Sequence, residues 1–268
     1  MNISQVYAVY FSATGNTRKV TTTLANALAV SFDVPLEVRD FTLPAAREEA
    51  YEFAEGDLVV FGMPTYAGKL PNKLLDFVKS GFHGNGALAV PVVTFGNRSF
   101  DNSLAELCAC LEGDGFHTIG AGAFACRHAF TDALANGRPD SDDMAELAKL
   151  GSAVVGRIVK MTDFPAPVTV DGDADAPYYR PLGLDGEPKV FLKAKPKTDT
   201  EKCTRCGVCA SLCPMGSINP DDVTEVVGVC IKCHSCVRNC PMGAKYFDDP
   251  AFLSHRAMRE RVYTRRAE

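Results

Sequence analysis

The sequence predicts an α/β protein, a doubly wound parallel sheet of five strands joined to a small cysteine-rich, metal-binding module. Three observations carry this. Strand-like and helix-like runs alternate through the first 160 residues, residues 162–200 become rich in Pro, Gly and Asp, and eight of the eleven cysteines fall between Cys203 and Cys240. The 268 residues are 46% hydrophobic and 23% charged, which suits a globular chain with a real core. A net charge of −5 argues against a nucleic-acid partner, whose affinity leans on phosphate neutralisation. No apolar run approaches the roughly 20 residues of a membrane helix. The N-terminus, MNISQVYAVYF, lacks a basic region followed by a long apolar stretch, so a cytoplasmic location is expected.

The elements follow in order. QVYAVYF (5–11) reads as a buried strand and RKVTTTLANALAV (18–30) as a helix. PLEVRD (35–40) is a second strand, AAREEAYEF (45–53) a helix and DLVVFG (57–62) a third strand. PNKLLDFVKSG (71–81) is a helix with Pro in its first turn. ALAVPVVTFG (87–96) is a fourth strand interrupted by Pro91, and FDNSLAELCACLEG (100–113) is a helix closed by Gly. HTIGAGAFAC (117–126) is the fifth strand, and 141–161 is the last helix, with Ser141 as its N-cap. Parallel strands need crossovers, and the intervening helices supply them.

Four regions are expected: a sheet domain at 1–161, a linker at 162–200, a cysteine module at 201–249 and a basic tail at 250–268. In the linker, Tyr178, Tyr179, Val190, Phe191 and Leu192 suggest segments that dock on a domain. The last 18 residues hold five Arg against two acids, either a solvated helix or frayed tail, or a docking surface for an acidic redox partner.

Within the module, CTRCGVCASLCPMGSI (203–218) aligns with CIKCHSCVRNCPMGAK (230–245) at a period of 27. Each half reads C-x2-C-x2-C-x3-C-P, the bacterial iron–sulfur run in which the fourth Cys ligates the other cluster. Three thiolates at three-residue spacing wrap one corner of a cubic cluster, so the fourth ligand must come from elsewhere. That assigns Cys203, Cys206, Cys209 and Cys240 to one 4Fe–4S cluster, and Cys230, Cys233, Cys236 and Cys213 to the other. Zinc needs only four ligands, usually as two separated pairs, and each run here offers more. Cys108, Cys110 and Cys126 lie outside the runs and read as buried free thiols.

In an open parallel sheet, ligands bind beyond the C-terminal strand ends. After the first strand comes SATGNT, with Ser12, Ala13, Thr14, Gly15, Asn16 and Thr17 placed at a helix N-terminus, where backbone N–H groups favour a phosphate. It lacks the endings expected for ATP or a dinucleotide. FSATGNT resembles the flavodoxin phosphate loop, and the resemblance implies a flavodoxin-like sheet that binds FMN. Two further loops would clasp the flavin: one carries Pro64, Thr65, Tyr66, Ala67 and Gly68, the other Thr94, Phe95, Gly96, Asn97, Arg98 and Phe100. Tyr66 can stack on the ring, the Ala67–Gly68 peptide can approach flavin N5, and Phe95, Arg98 or Phe100 can close the other face. Phe95 and Phe100 read equally well as core. Trp is absent and the loops are not strongly acidic, so the ring environment is less negative than in the small flavodoxins.

The wider pattern is FSATGNT, GMPTYAGKLP, TFGNRSFDN, GAFACRHAF and ANGRPD, followed by both cysteine runs. It resembles fused flavodoxin–ferredoxin proteins of anaerobic bacteria, over nearly the whole chain. The module is similar to the small α+β two-cluster bacterial ferredoxins. His128 is expected at the flavin edge, facing the module, or in a structural role; Arg138 is expected to pair with a carboxylate in a turn. FMN carries one or two electrons and each cluster one, so the chain is expected to convert between these couples and exchange electrons with partner redox proteins. The rival is an FMN-dependent reductase of a small quinone, nitro or azo compound fed through the clusters. A third reading is a docking scaffold that has lost its flavin.

Overall fold

The computed structural model describes residues 2–164 and 166–267. Strand β1 (Gln5–Tyr10) leads into helix α1 (Asn16–Phe32), then β2 (Leu36–Asp40), a 3-10 turn at Pro44–Arg47, β3 (Tyr51–Glu52) and β4 (Asp57–Pro64). Helix α2 (Leu75–Ser80), β5 (Phe82–His83), β6 (Leu88–Phe95), α3 (Ser103–Gly113), β7 (His117–Thr118), β8 (Gly122–Ala125) and α4 (Ser141–Lys160) complete the larger part. The cysteine-rich part holds β9 (Lys197–Thr198), α5 (Val208–Ser211), α6 (Ser235–Arg238) and β10 (Lys245–Tyr246), and α7 (Pro250–Val262) follows.

The sheet is parallel with order β2-β1-β4-β6-β7, and β8 also pairs with β6. This is a flavodoxin-like five-stranded arrangement whose fifth strand is broken in two. Side chains alternate between the faces, as a strand of period two requires. Val6, Ala8, Leu58, Val60, Val90 and Val92 pack under α1 and α4. Val9, Val59, Phe61, Met63 and Val93 face the opposite side, where Phe41, Phe82 and Phe116 fill the core. Pro91 does not interrupt β6. Ala89 and Phe95 give their carbonyls to Ile119 and Cys126, so odd-numbered residues of β6 face β7 and β8. Pro91 therefore faces the gap between those strands, where no N–H is called for.

Several expected elements are corrected. The stretch 45–53 is not a helix: after the 3-10 turn, β3 pairs in parallel with β5, and Tyr51 stacks on Phe82 with centroids 5.1 Å apart. That aromatic contact and the Tyr51 N–H to Gly81 carbonyl bond of 2.8 Å outweigh the local helical pattern. The helix at 71–81 is confined to Leu75–Ser80. The N-cap of α4 is Asp140, not Ser141; its carboxylate accepts from the Asp142 and Asp143 N–H groups, and Asp143 completes a capping box.

Residues 166–196 form no helix or strand and lie partly on the sheet domain and partly on α7. Tyr178 donates its hydroxyl to Leu70 O at 2.9 Å, the Tyr179 N–H reaches Ala67 O at 2.8 Å, and Phe191 packs on Phe252 and His255. Val190 and Leu192 stay 78% and 81% exposed, so those two do not dock. The basic C-terminal stretch is a helix with a buried face of Phe252, His255, Met258 and Arg259, rather than a solvated one. Beyond it the backbone of Tyr263, Arg265 and Ala267 is held by the Asn97 side chain, while Arg266 pairs with Asp140 at 2.6 Å.

Candidate functional site

The cysteine runs fold as two half-modules whose backbones repeat with their sequence. Arg205 and Lys232 both have left-handed φ, of 55° and 54°, and the N-cap positions Gly207 and His234 follow at 77° and 62°. Each N-cap starts one short helix, α5 or α6, which carries the third cysteine of its run inward. The fourth cysteines accept equivalent bonds, Cys213 Sγ from the Ser217 N–H at 3.3 Å and Cys240 Sγ from the Ala244 N–H at 3.2 Å.

Two cavities result. One is lined by Cys203, Cys206, Cys209 and Cys240; the other by Cys213, Cys230, Cys233 and Cys236. Each draws three thiols from one run and the fourth from the other. Among the described residues, no group of three or more His, Cys, Asp or Glu side chains is arranged to hold a single metal ion. The walls are largely apolar, with Val208, Val223 and Met242 beside Lys245 in the first and Ile218, Val226, Ile231 and Phe247 beside His234 in the second. Burial, and then the neighbouring Cys230, push the Cys236 thiol up to about 12, and burial also lifts Cys233 above the ordinary thiol range. Cys240 is held low in spite of its burial, because the N–H groups of Ala244, Met242, Lys245 and Gly243 stabilise its thiolate. Four soft donors converging on a dry space fit a cationic iron–sulfur group, which offsets the cost of burying thiolates.

At the sheet edge, the loop after β1 leads into α1 through Gly15, whose φ is +88°. Asn16 and Thr17 precede the first intrahelical N–H bond, that of Lys19 to Gly15 O, so their N–H groups face out of the helix end. Ser12 Oγ accepts from the Arg18 N–H at 3.0 Å, and Asn16 Nδ2 donates to Arg127 O at 3.0 Å. Thr17 Oγ1 lies 2.7 Å from Thr94 Oγ1, which ties the first loop to the third. Among the described residues the Thr14 hydroxyl has no such partner, and Ser12 keeps its own O–H to donate. These groups fit a phosphate oxygen.

The second and third loops clasp each other. The Asn102 N–H reaches Gly68 O at 2.9 Å, and Thr65 Oγ1 meets Ser103 Oγ at 2.6 Å. Gly68 has φ +79°, and a side chain there would strike the Asp101 carboxylate. Pro64 closes β4, Ala67 takes the left-handed φ of 49°, and Phe95 lies in the core with its ring 5.6 Å from Phe100. Arg98 is bound to Asp101 and sits 4.1 Å over Tyr179, and Asn97 is committed to the C-terminal stretch, so those side chains are taken up inside the protein. The His128 ring rests against Gly96, while its Nδ1 accepts from the Phe130 N–H at 3.0 Å. Arg138 pairs with Asp143. Cys108, Cys110 and Cys126 are buried, and burial pushes each thiol up to about 12.

The second cysteine cavity abuts this edge. Met215 and Ile231 pack against the Phe-rich core together with Ala13. Arg47 donates to Pro214 O at 2.5 Å, and Arg238 donates to Ala129 O and His128 O at 2.8 and 2.9 Å. Burial raises the Tyr66 hydroxyl well above its ordinary value, and the charges of Cys233 and Cys230 add to the rise. Arg47, Arg238, His234 and Lys245 are the contributors that motif reading missed. His234 and Lys245 do carry a sequence signal, since they stand where the repeat has Gly207 and Ile218.

Family comparison agrees with the two-part architecture. A flavodoxin-domain profile matches residues 7–94, and 4Fe–4S binding-domain profiles match residues 196–219 and 228–243. A search of curated proteins finds no match. Among solved structures, an archaeal flavodoxin is 16% identical with a TM-score of 0.39, over 58% of this chain and 99% of its own. The Streptococcus pneumoniae TIGR4 flavodoxin is 16% identical with a TM-score of 0.41, over 57% and 99%. The two-electron reduced Megasphaera elsdenii flavodoxin is 17% identical with a TM-score of 0.35, over 57% and 99%. The chain thus carries an N-terminal flavodoxin domain and C-terminal 4Fe–4S binding domains. That pairing implies an electron-transfer protein with redox partners, FMN on the sheet and 4Fe–4S chemistry at the cysteines. Among the described residues, no helix is long and apolar enough to cross a membrane.

Proposed function

We propose that this protein holds two 4Fe–4S clusters and one FMN in a single chain and passes electrons between them and a partner redox protein. One cluster belongs to Cys203, Cys206, Cys209 and Cys240, the other to Cys230, Cys233, Cys236 and Cys213. FMN belongs to the SATGNT loop, with Tyr66 and the Gly96 loop flanking its ring. When bound, these groups supply one-electron capacity at the cysteines and one- or two-electron capacity at the sheet edge.

The observation that carries the reading is the seating of the second cysteine cavity on the sheet edge: Arg47 donates to Pro214 O, Arg238 to Ala129 O and His128 O, and Met215 and Ile231 pack against the same core as Ala13 of the first loop. The chain's own contribution is placement. Arg47 and Arg238 fasten the inner cysteine cavity to the sheet edge, while Cys206 leaves the outer cavity near solvent. Electrons would thus enter or leave at the outer cluster and pass the inner one to reach the flavin. The linker keeps the modules together, so transfer within one chain competes well with transfer between chains.

Anaerobic purification with cofactor analysis tests the composition. About eight iron and eight sulfide per chain are expected from four-thiolate ligation of each cluster. FMN should be recovered on acid release; recovery of FAD, or stoichiometric zinc with little iron, would falsify the assignment. Stopped flow tests the path: flavin reduction from reduced clusters should not depend on protein concentration, and a rate that scales with concentration refutes it.

A further inference from the structure

The two half-modules differ at one buried position by the exchange of an apolar side chain for an ammonium. Five residues after Cys213 stands Ile218, and five after Cys240 stands Lys245; each lines the cavity to which its preceding cysteine contributes the fourth thiol. They are 4% and 3% exposed. An apolar side chain therefore satisfies the fold at this place, and burying an ammonium there is costly unless something offsets its charge. Lys245 Nζ donates to Thr198 Oγ1 at 2.7 Å and to Val223 O. These are neutral acceptors, and among the described residues no carboxylate forms an ion pair with it. Asp222 is close enough to feel its charge, yet that carboxylate is turned to the Thr224 N–H and hydroxyl at 3.0 and 2.7 Å. The charge of Lys245 is also felt at Cys209, in the same cavity. Beside the other cavity, Lys232 is half-buried and bonded to Leu192 O and Cys230 O, and its repeat mate Arg205 is exposed.

We propose that Lys245 is a positioning residue that raises the reduction potential of the cluster held by Cys203, Cys206, Cys209 and Cys240. The inference rests on the two-cluster reading above. Reduction adds one electron from an external one-electron donor to that group and makes or breaks no bond. The added negative charge sits beside a fixed, poorly solvated cation, so the reduced form gains more than the oxidised one. The anionic cluster is in turn the partner that the buried ammonium otherwise lacks. Because Cys206 is exposed, the effect holds the electron at the surface-facing end of the path.

The test is anaerobic potentiometric titration of the loaded protein with dithionite, followed by electron paramagnetic resonance, on wild type, Lys245→Met and Lys245→Arg. Iron and sulfide are measured in each sample. The expected result is a downward shift of one of the two midpoints in Lys245→Met, with the other unmoved and Lys245→Arg at wild type. A fully loaded Lys245→Met with both midpoints unchanged overturns the proposal. So do equal shifts in the Met and Arg variants, which would assign the effect to packing. If Lys245→Met loses iron, Lys245→Gln replaces it, since it keeps a donor for Thr198 and Val223. A shift of one midpoint there supports the proposal, and iron loss there overturns it in favour of cluster retention. Wild-type protein with fewer than about eight irons would overturn the two-cluster reading together with this inference.

Discussion

Replacing Arg238 by Ala removes the guanidinium that fastens α6 to the loop after β8. In the folded protein its Nε donates to Ala129 O at 2.8 Å, Nη2 to His128 O at 2.9 Å and Nη1 to Asp132 Oδ1 at 2.6 Å. Hydrogen bonds to a charged group contribute about 1.5–3 kcal/mol each. The Asp132 carboxylate is 61% exposed, so that pair adds little. The two carbonyl bonds together contribute about 3 kcal/mol, which corresponds to roughly a hundredfold change in the docking equilibrium. Contacts of Phe130 with His234 and Phe252 remain, as does the Arg47 bond, so the module stays folded and mostly docked. Native-state hydrogen exchange on the loaded protein should show faster exchange at residues 127–134 and 234–239. The concentration-independent rate of flavin reduction should fall in step. Arg238→Lys keeps the charge but loses the planar fork, and should lie between the two. Exchange and transfer rates within twofold of wild type in the Ala variant would refute the reasoning and leave the aromatic contacts and the Arg47 bond as the fastening.

Two further outcomes are expected. Lys69 and Glu106 form a buried ion pair at 3.0 Å, and Lys69 also holds Ala174 O and Ala176 O of the linker at 2.7 and 2.9 Å. Glu106→Gln leaves that ammonium without its counter-charge, at a cost of about 3 kcal/mol; denaturant unfolding should show the loss, and amide hydrogen exchange at residues 174–179 should quicken. Burial pushes the Asp114 carboxyl up to about 6, against a small opposing effect of His83. A folded value above the unfolded one means that the native state holds the extra proton. Its contribution is full below pH about 4 and is lost as pH rises through about 6. Asp114→Asn should remove that decline and raise stability at pH 7 by about 1 kcal/mol, after discounting for partial exposure. A thermal-unfolding profile identical to wild type from pH 4 to 7 would contradict it.

What the sequence determined by itself is local in origin. Strand and helix alternation sets which faces of β1, β4 and β6 are buried, because side-chain periodicity is a property of a few consecutive residues. The cysteine runs carry the grouping of their thiols in their spacing, and the period of 27 reappears as paired left-handed residues and paired short helices. The residues Ser12–Thr17 likewise sit at a strand-to-helix junction that a short motif can announce. Tertiary structure alone decided the rest. Residues 45–53 have a plausible helical pattern, yet Tyr51 is captured by Phe82, 31 positions away in the chain. The expected flavin contacts Asn97 and Arg98 are taken by the C-terminal stretch and by Asp101 with Tyr179. The basic helix reads as solvated until Phe252, His255 and Arg259 meet Phe191, Leu182 O and Gly96 O. Each of these choices depends on a partner distant in the chain. Local propensity is weak beside the burial of an aromatic ring or the neutralisation of a buried charge, so the partner wins wherever the two conflict.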